Sequence, residues 1–361
     1  MKDAPPLVSV IVSTHDSGAT LLETLAAIRS SDFPRDSYEL IVVDDKSADE
    51  SVALAARHAD TVIRLSGTKC GPAYARNRAV ERARGDILVF VADDVRLHLD
   101  TLSRLVAILG ARPDLAAISA SHDAHGGPPN FVSRYWNLLV RYGEQRYGGR
   151  CAQFASGCGA VRRSAFLAAG MYDEWRFATD CVEGAELGQR LCAAGYGVLL
   201  DPALSVVHLR RWSLSGVLRE VWSRGRFLAR SLGYVRMSTA VPSEVVFTLS
   251  RALTPGAALL GTLTLAAAFV PAPHAGAKGA VALGAILLTN LPVHHFYART
   301  RGLGFALVSA PLHFVVQLVA GAALCTGWIL RDLFGDVSPD ATTQAYSEVG
   351  LEMWPPVRRR V

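Results

Sequence analysis

The sequence predicts an α/β domain, a sheet with flanking helices, followed by an interfacial helix region and a C-terminal membrane helix bundle. Three observations carry that expectation. Residues 7–210 alternate short runs rich in valine and isoleucine with stretches of helical period. The next segment interleaves arginines with aromatic residues, and from about residue 244 long uncharged runs dominate. Composition agrees: 50% of the 361 residues are hydrophobic, yet 19% are charged, so the two characters must be segregated along the chain. The expected boundaries are 1–209 for the α/β domain, 210–243 for the interfacial segment, 244–332 for about three membrane helices and 333–361 for a tail.

Taken in order, LVSVIVS (Leu7–Ser13) reads as a strand and Thr20–Arg29 as the helix after it. YELIVVD (Tyr38–Asp44) is the second strand. The helix SADESVALAARHA follows, with Ser47 or Asp49 as its N-cap. TVIRL is a short third strand, GPAYARNRAVERAR a helix opened by Gly71-Pro72, and DILVFVA a fourth strand. Near-continuous apolar strands alternating with helices imply a parallel sheet covered on both faces. Such sheets take ligands at the carboxyl ends of their strands.

The segment HLRRWSLSGVLREVWSRGRFLARSLGYVRM carries Arg210, Arg211, Arg219, Arg224, Arg226, Arg230 and Arg236 among Trp212, Trp222, Phe227 and Tyr234. That pattern suits an amphipathic helix at an anionic membrane surface; a basic solvated helix is the alternative. Beyond it lie Ala252–Val270, Gly279–Ala298 and Gly304–Leu330, each near or above the ~20 apolar residues that cross a bilayer. Core helices of a soluble domain are the alternative there. Arg299 and Arg301 mark the loop between the last two runs as cytoplasmic. The expected location is therefore the cell membrane, multi-pass, with the N-terminal domain in the cytoplasm. Three spans would place the tail outside, against the rule, since it ends in three arginines.

The six cysteines form no CxxC pair and no zinc-ligand cluster, as expected of reduced thiols. The N-terminus does not read as a signal peptide. A net charge of +5 is too modest to argue for a nucleic-acid partner.

One feature of the strands is chemically odd. VFVADDVRLH (Val89–His98) ends a buried run in two adjacent aspartates, Asp93 and Asp94, and the second strand ends in Asp44-Asp45. Like charges repel, so those strand ends need a source of positive charge.

The ordered set VSVIVSTHDSG, LIVVDDKSADES, GPAYARNRAVERARGDILVFVADDV, GCGAVRRSAFLAAGMYDE and VEGAELGQRLCAAGYGVLLDPALSVVHLRRW resembles the nucleotide-sugar domain of the family 2 inverting glycosyltransferases, the GT-A fold, over roughly residues 7–215. No one of these elements is specific; their order and spacing are. The resemblance implies a nucleotide-sugar donor, with UDP favoured, and a divalent cation, Mg²⁺ or Mn²⁺, to neutralise the departing diphosphate. It places Asp94 on the metal, Asp93 on the ribose or sugar, and Asp45 on the base. Ser13 and Thr14 line the same pocket, and Arg76 approaches the nucleotide. An Asx turn with a helix N-cap is the structural alternative for Asp44 and Asp45. His208 matches a position that adds a metal ligand in some relatives; a packed histidine is the alternative.

Inversion needs a general base on the acceptor hydroxyl. The family supplies it from a GluAsp pair, but here the segment reads ValGluGlyAlaGluLeu, with Glu183 followed by Gly184. Glu183 is the expected catalytic residue, with Asp180 and Glu186 as substitutes, Glu186 reading better as a helix N-terminal charge or a partner of Arg190. His208 stands where processive relatives carry Gln in their QxxRW element, which favours single-residue transfer. The functional expectation is a membrane-anchored inverting glycosyltransferase acting on a hydroxyl acceptor, lipid-linked or glycan. A membrane scaffold that kept the sheet and lost the base is the alternative, supported by Gly184. A nucleotidyltransferase is a weaker one, since no glycine-rich triphosphate loop follows the first strand.

Overall fold

A computed structural model describes residues 8–68, 71–152, 154, 157–174, 183–231 and 275–334. The apolar run Ala252–Val270, the tail, Arg236 and Asp180 lie outside the described residues. The chain divides into two compact units. The first gathers the described residues up to Ser121 and from Gly148 to Arg210; the second takes His122–Tyr147 and those from Arg211 on.

The first unit is a sheet of nine described strands. In chain order its elements are β1 Val8–Thr14, α1 Gly18–Arg29, β2 Tyr38–Asp44, α2 Ser51–His58, β3 Thr61–Arg64, α3 Pro72–Val80, β4 Ile87–Ala92 and β5 Val95–Arg96. Then come α4 Thr101–Ala111, β6 Leu115–His122, β7 Gly149–Arg150, β8 Cys158–Arg162, α6 Arg163–Ala168, α7 Glu183–Ala193 and β9 Gly197–His208. Strand order is β3-β2-β1-β4-β8-β6-β9-β5, with β7 on β9. The expected parallel pairing holds for β1 through β4. It ends there: β8 runs antiparallel to β4 and to β6, and β5 runs antiparallel to β9. Runs that are buried on both faces carry no periodic signal of strand direction.

Alternation along each strand divides the core. Val8, Val10 and Val12 of β1 face Leu21, Leu25 and Ile28 of α1 and the leucines of α4. Ile11 faces the other way, with Phe90, Ala75 and Ala79 of α3, Phe166 of α6 and Leu187 of α7. Phe90 sits among the rings of Phe154, Phe166 and Tyr172 at centroid distances of 6.3, 5.4 and 5.3 Å. The helix expected from Ser47 begins later, at Ser51, and Asp49 Oδ1 accepts the Ser51 N–H at 2.9 Å.

The second unit is helical: α5 Phe131–Tyr147, α8 Leu214–Ser231, α9 Ala275–Arg301 and α10 Leu303–Phe334. Tyr135 and Trp136 of α5 share an apolar cluster with Val217 and Val221 of α8, Tyr297 of α9 and Val316 of α10. Inside it lies a polar seam. Tyr135 Oη meets His313 Nδ1 at 3.0 Å, His313 Nε2 meets Asn290 Oδ1 at 3.0 Å, and Asn290 Nδ2 donates to Gln317 Oε1 at 3.1 Å. Of the three expected spans, one candidate stands among the described residues: Leu303–Leu333 is long and apolar enough to cross a membrane. The run Gly279–Ala298 falls within helix α9.

Candidate active site

The carboxyl ends of β1, β2 and β4 meet at one edge of the sheet, because register aligns them. Thr14 pairs with Asp44 across β1 and β2, and Ser13 pairs with Ala92 across β1 and β4. The acidic pairs that follow β2 and β4 therefore flank the end of β1 on either side. The residue after Thr14 joins them: His15 Nδ1 bonds the Asp45 carbonyl at 2.7 Å, and the His15 N–H donates to Asp93 Oδ2 at 3.4 Å. A carbonyl only accepts, so Nδ1 carries the proton. Nothing in the apolar pattern singled out His15; only the register of β1 between two acidic ends places it.

The two aspartates at the end of β2 divide their work. Asp44 Oδ1 accepts the Ser47 N–H at 3.3 Å, the turn contact expected as an alternative. Asp45 Oδ2 instead takes the Gly71 N–H at 2.7 Å. Gly71 has φ +107°, a conformation that glycine alone adopts readily, and Pro72 then opens α3. The other oxygen, Asp45 Oδ1, is buried and makes no hydrogen bond among the described residues, with Lys46 Nζ 3.8 Å away. Among the described residues Thr14 Oγ1, likewise buried, has no hydrogen-bond partner either. Ser13 is half-buried beside it.

Asp93 and Asp94 are both half-buried, and their backbone is held from two directions. Thr24 Oγ1 of α1 donates to the Asp93 carbonyl at 3.0 Å, and the Leu209 N–H donates to the Asp94 carbonyl at 2.7 Å. Val95 pairs with His208, so the end of β9 brings His208 one residue from Asp94. Gly157 leaves room for the ring: a Cβ there would stand 3.0 Å from His208 Nε2. Carboxylate and imidazole are donor types that a divalent cation accepts. Among the described residues no three His, Cys, Asp or Glu side chains converge to hold an ion by themselves.

A second group of expected residues meets on the α3 side. Arg76 Nη1 of α3 and Glu183 Oε1, the first residue of α7, form an ion pair at 2.6 Å, and both are buried. The Arg76 guanidinium also lies over the Tyr172 ring at 5.6 Å. Glu183 Oε2 is buried and has no hydrogen-bond partner among the described residues. Glu186 is engaged through both oxygens by Arg190, at 2.6 and 2.7 Å, as the helical spacing suggested. Cys158 is fully enclosed, and burial pushes its thiol up to about 12, which suits a packed side chain rather than a nucleophile.

Residues 9–169 match the family model described as glycosyl transferase family 2. The chain carries a family 2 glycosyltransferase domain. Among relatives, the glycosyltransferase domain is similar to the poly(ribitol-phosphate) beta-N-acetylglucosaminyltransferase TarS of Staphylococcus aureus, 31% identical over 105 residues, which cover 28% of this chain and 18% of that one. It is also similar to the glycosyltransferase AglE of Haloferax volcanii, 31% identical over 120 residues, covering 32% of this chain and 40% of that one. The chain thus spans well under half the length of these two relatives. Among solved structures, the mannosyltransferase PcManGT from Pyrobaculum calidifontis, in complex with GDP-Man and Mn²⁺, aligns with a TM-score of 0.59 at 22% identity, over 92% of this chain and 88% of that one. That likeness speaks to the fold: the glycosyltransferase domain has the GT-A arrangement of a mixed sheet with flanking helices.

Proposed function

We propose that this chain is a membrane-associated inverting glycosyltransferase that moves a hexose-type sugar from a nucleoside diphosphate sugar, UDP favoured, to a hydroxyl acceptor that is lipid-linked. The observation that carries the reading is the meeting of Thr14, Asp45 and Asp93 about His15 at the carboxyl edge of a family 2 domain. Two buried oxygens there, Thr14 Oγ1 and Asp45 Oδ1, have no hydrogen-bond partner among the described residues. An orphaned buried acceptor costs ~1–3 kcal/mol, and a bound ligand's donors would relieve it.

In this reading Asp45 Oδ1 accepts an N–H of the nucleotide base, with Thr14 and Ser13 beside it. Asp93 holds the ribose or the sugar. A divalent cation, Mg²⁺ or Mn²⁺, held by Asp94 and His208 would supply charge neutralisation for the diphosphate as it leaves. The acceptor oxygen forms a bond to the anomeric carbon from the face opposite the departing diphosphate, so configuration inverts. Its proton passes to Glu183 Oε2, while Arg76 fixes the carboxylate through Oε1. The lipid-linked acceptor is favoured by the apolar helix Leu303–Leu333.

The same ion pair favours a second reading, in which Glu183 serves only to neutralise Arg76 and the domain binds donor without transferring it. Incubating the full-length chain in lipid with a panel of nucleotide sugars and Mn²⁺ or Mg²⁺ separates the two. Release of nucleoside diphosphate from one donor supports the enzyme. Donor binding without release from any donor supports the second reading, and no binding at all contradicts both.

A further inference from the structure

Helix α10 turns an apolar face outward and buries a polar row. On α10, Leu303, Leu307, Val315, Trp328, Ile329 and Leu333 are exposed, Leu303 by 67% and Leu333 by 69%. On the opposite face Ser309, His313 and Gln317 are buried at four-residue intervals. An exposed apolar stripe, with the helix's polar side chains turned inward, is the arrangement of a helix in contact with hydrocarbon. The question is how that helix meets the bilayer.

We infer that α10 lies in the plane of one leaflet, with its apolar stripe buried among acyl chains, and does not cross. This rests on the membrane association proposed above. Length is the first argument. At 32 residues α10 is about 48 Å long, against a hydrocarbon core of ~30 Å, and its exposed apolar positions run from end to end.

The second argument is its neighbour. Helix α8 lies against the second half of α10 with almost no space between backbones. A Cβ on Gly225 would stand 2.8 Å from Ala323 Cβ, and one on Gly327 would stand 2.5 Å from the Arg226 carbonyl and 2.6 Å from Ala229 Cβ. The two helices advance together, Gly225 by Ala323 and then Ala229 by Gly327. If α10 crossed the bilayer, α8 would have to cross beside it. Yet Arg219 and Arg226 of α8 are exposed, and a bare arginine within hydrocarbon is heavily penalised.

The third argument is the chain itself. At the start of α10, the preceding residue but one, Arg301, donates through Nη2 to the Ala124 carbonyl at 2.9 Å, and Ala124 lies two residues beyond β6. Toward the other end α10 is held by α8, which begins six residues after β9. Both ends of α10 are thus held by other segments of the helical unit. In the plane, the arginines of α8 lie at headgroup level, and exposed Trp222 and Trp328 sit where aromatic rings favour the interface. The partner this surface fits is a leaflet containing anionic phospholipid.

The test uses the full-length chain in phosphatidylcholine vesicles with and without phosphatidylglycerol. A nitroxide amino acid is incorporated singly at Leu303, Leu307, Val315 and Ile329, and its depth is read from collisions with oxygen and with a water-soluble nickel complex. The in-plane helix gives the same shallow depth at all four sites. A profile deepest at Val315 and shallow at Leu303 and Ile329 overturns the inference while leaving membrane association intact. No vesicle binding at all would overturn the association as well. Replacing Arg219 and Arg226 together by Gln is expected to weaken binding to the anionic vesicles about 10–30-fold and to leave binding to pure phosphatidylcholine unchanged. Equal binding of the variant and the parent chain to anionic vesicles would remove the headgroup assignment.

Discussion

Arg76 and Glu183, 107 residues apart in the chain, pair at 2.6 Å within a buried site, the guanidinium on α3 and the carboxylate at the first position of α7. Both residues were singled out from the sequence, Arg76 as a neighbour of the nucleotide and Glu183 as a base. Their pairing was not. It couples the helix that follows Asp45 to the helix that carries the carboxylate.

Breaking that pair is expected to be costly. Arg76→Leu leaves a buried carboxylate without its partner, and the usual penalty is about 3–5 kcal/mol. Replacing both residues with apolar side chains of similar volume should recover most of the loss, because no charge is then stranded. Chemical denaturation of the single and double variants measures both. Equal stability of Arg76→Leu and the parent chain would mean that the pair does not hold the two helices.

Asp94→Ala should abolish the metal dependence of nucleotide binding without unfolding the domain. The side chain is half-buried at a strand end, and the backbone contact from Leu209 does not involve it. Calorimetry of UDP with and without Mn²⁺ is the measurement. Undiminished UDP–Mn²⁺ affinity in the variant would show the metal assignment to be wrong.

Acid sensitivity should trace in part to Asp60. Burial would raise this carboxyl, but the Leu40 N–H at 2.7 Å and the Arg29 and Arg35 guanidiniums outweigh it and hold it below the usual carboxylate range. A depressed carboxylate contributes stability that is present above its unfolded value, near 3.8, and lost as pH falls through the folded one. Asp60→Asn should therefore lower the melting temperature at pH 7 and lessen its further fall below pH 4. Parallel melting curves for the two proteins across pH 3–7 would contradict this.

How far the sequence could be read depended on the kind of signal. The strands β1 to β4 and the helices between them were legible because period and composition are local properties, and Gly71-Pro72 marks the start of α3 outright. Strand direction beyond β4 was not, since β6, β8 and β9 are apolar in a way that suits either pairing. The acidic strand ends were visible as chemistry, but what joins them, His15 and the Gly71 N–H, depends on register and on one positive φ. In the helical unit the uncharged runs stood out by composition. The inward pair His313 and Gln317 did not, because polar residues inside an apolar run look incidental until their partners, Tyr135 on α5 and Asn290 on α9, are in place.

The central claim is that Glu183 receives a proton during sugar transfer, and the most direct measurement is the turnover of one nucleotide-sugar donor by the parent chain, Glu183→Gln and Gly184→Asp side by side. The amide in Glu183→Gln still offers an oxygen to Arg76, so the fold can be checked independently by thermal melting and donor affinity by calorimetry. The account predicts that Glu183→Gln keeps donor affinity and loses turnover by about 10²–10⁴-fold, the usual contribution of a positioned base. It also predicts that Gly184→Asp is neutral or harmful, since a second carboxylate would repel the first. Full turnover in Glu183→Gln, or activity that rises only when Gly184→Asp is introduced, would contradict it.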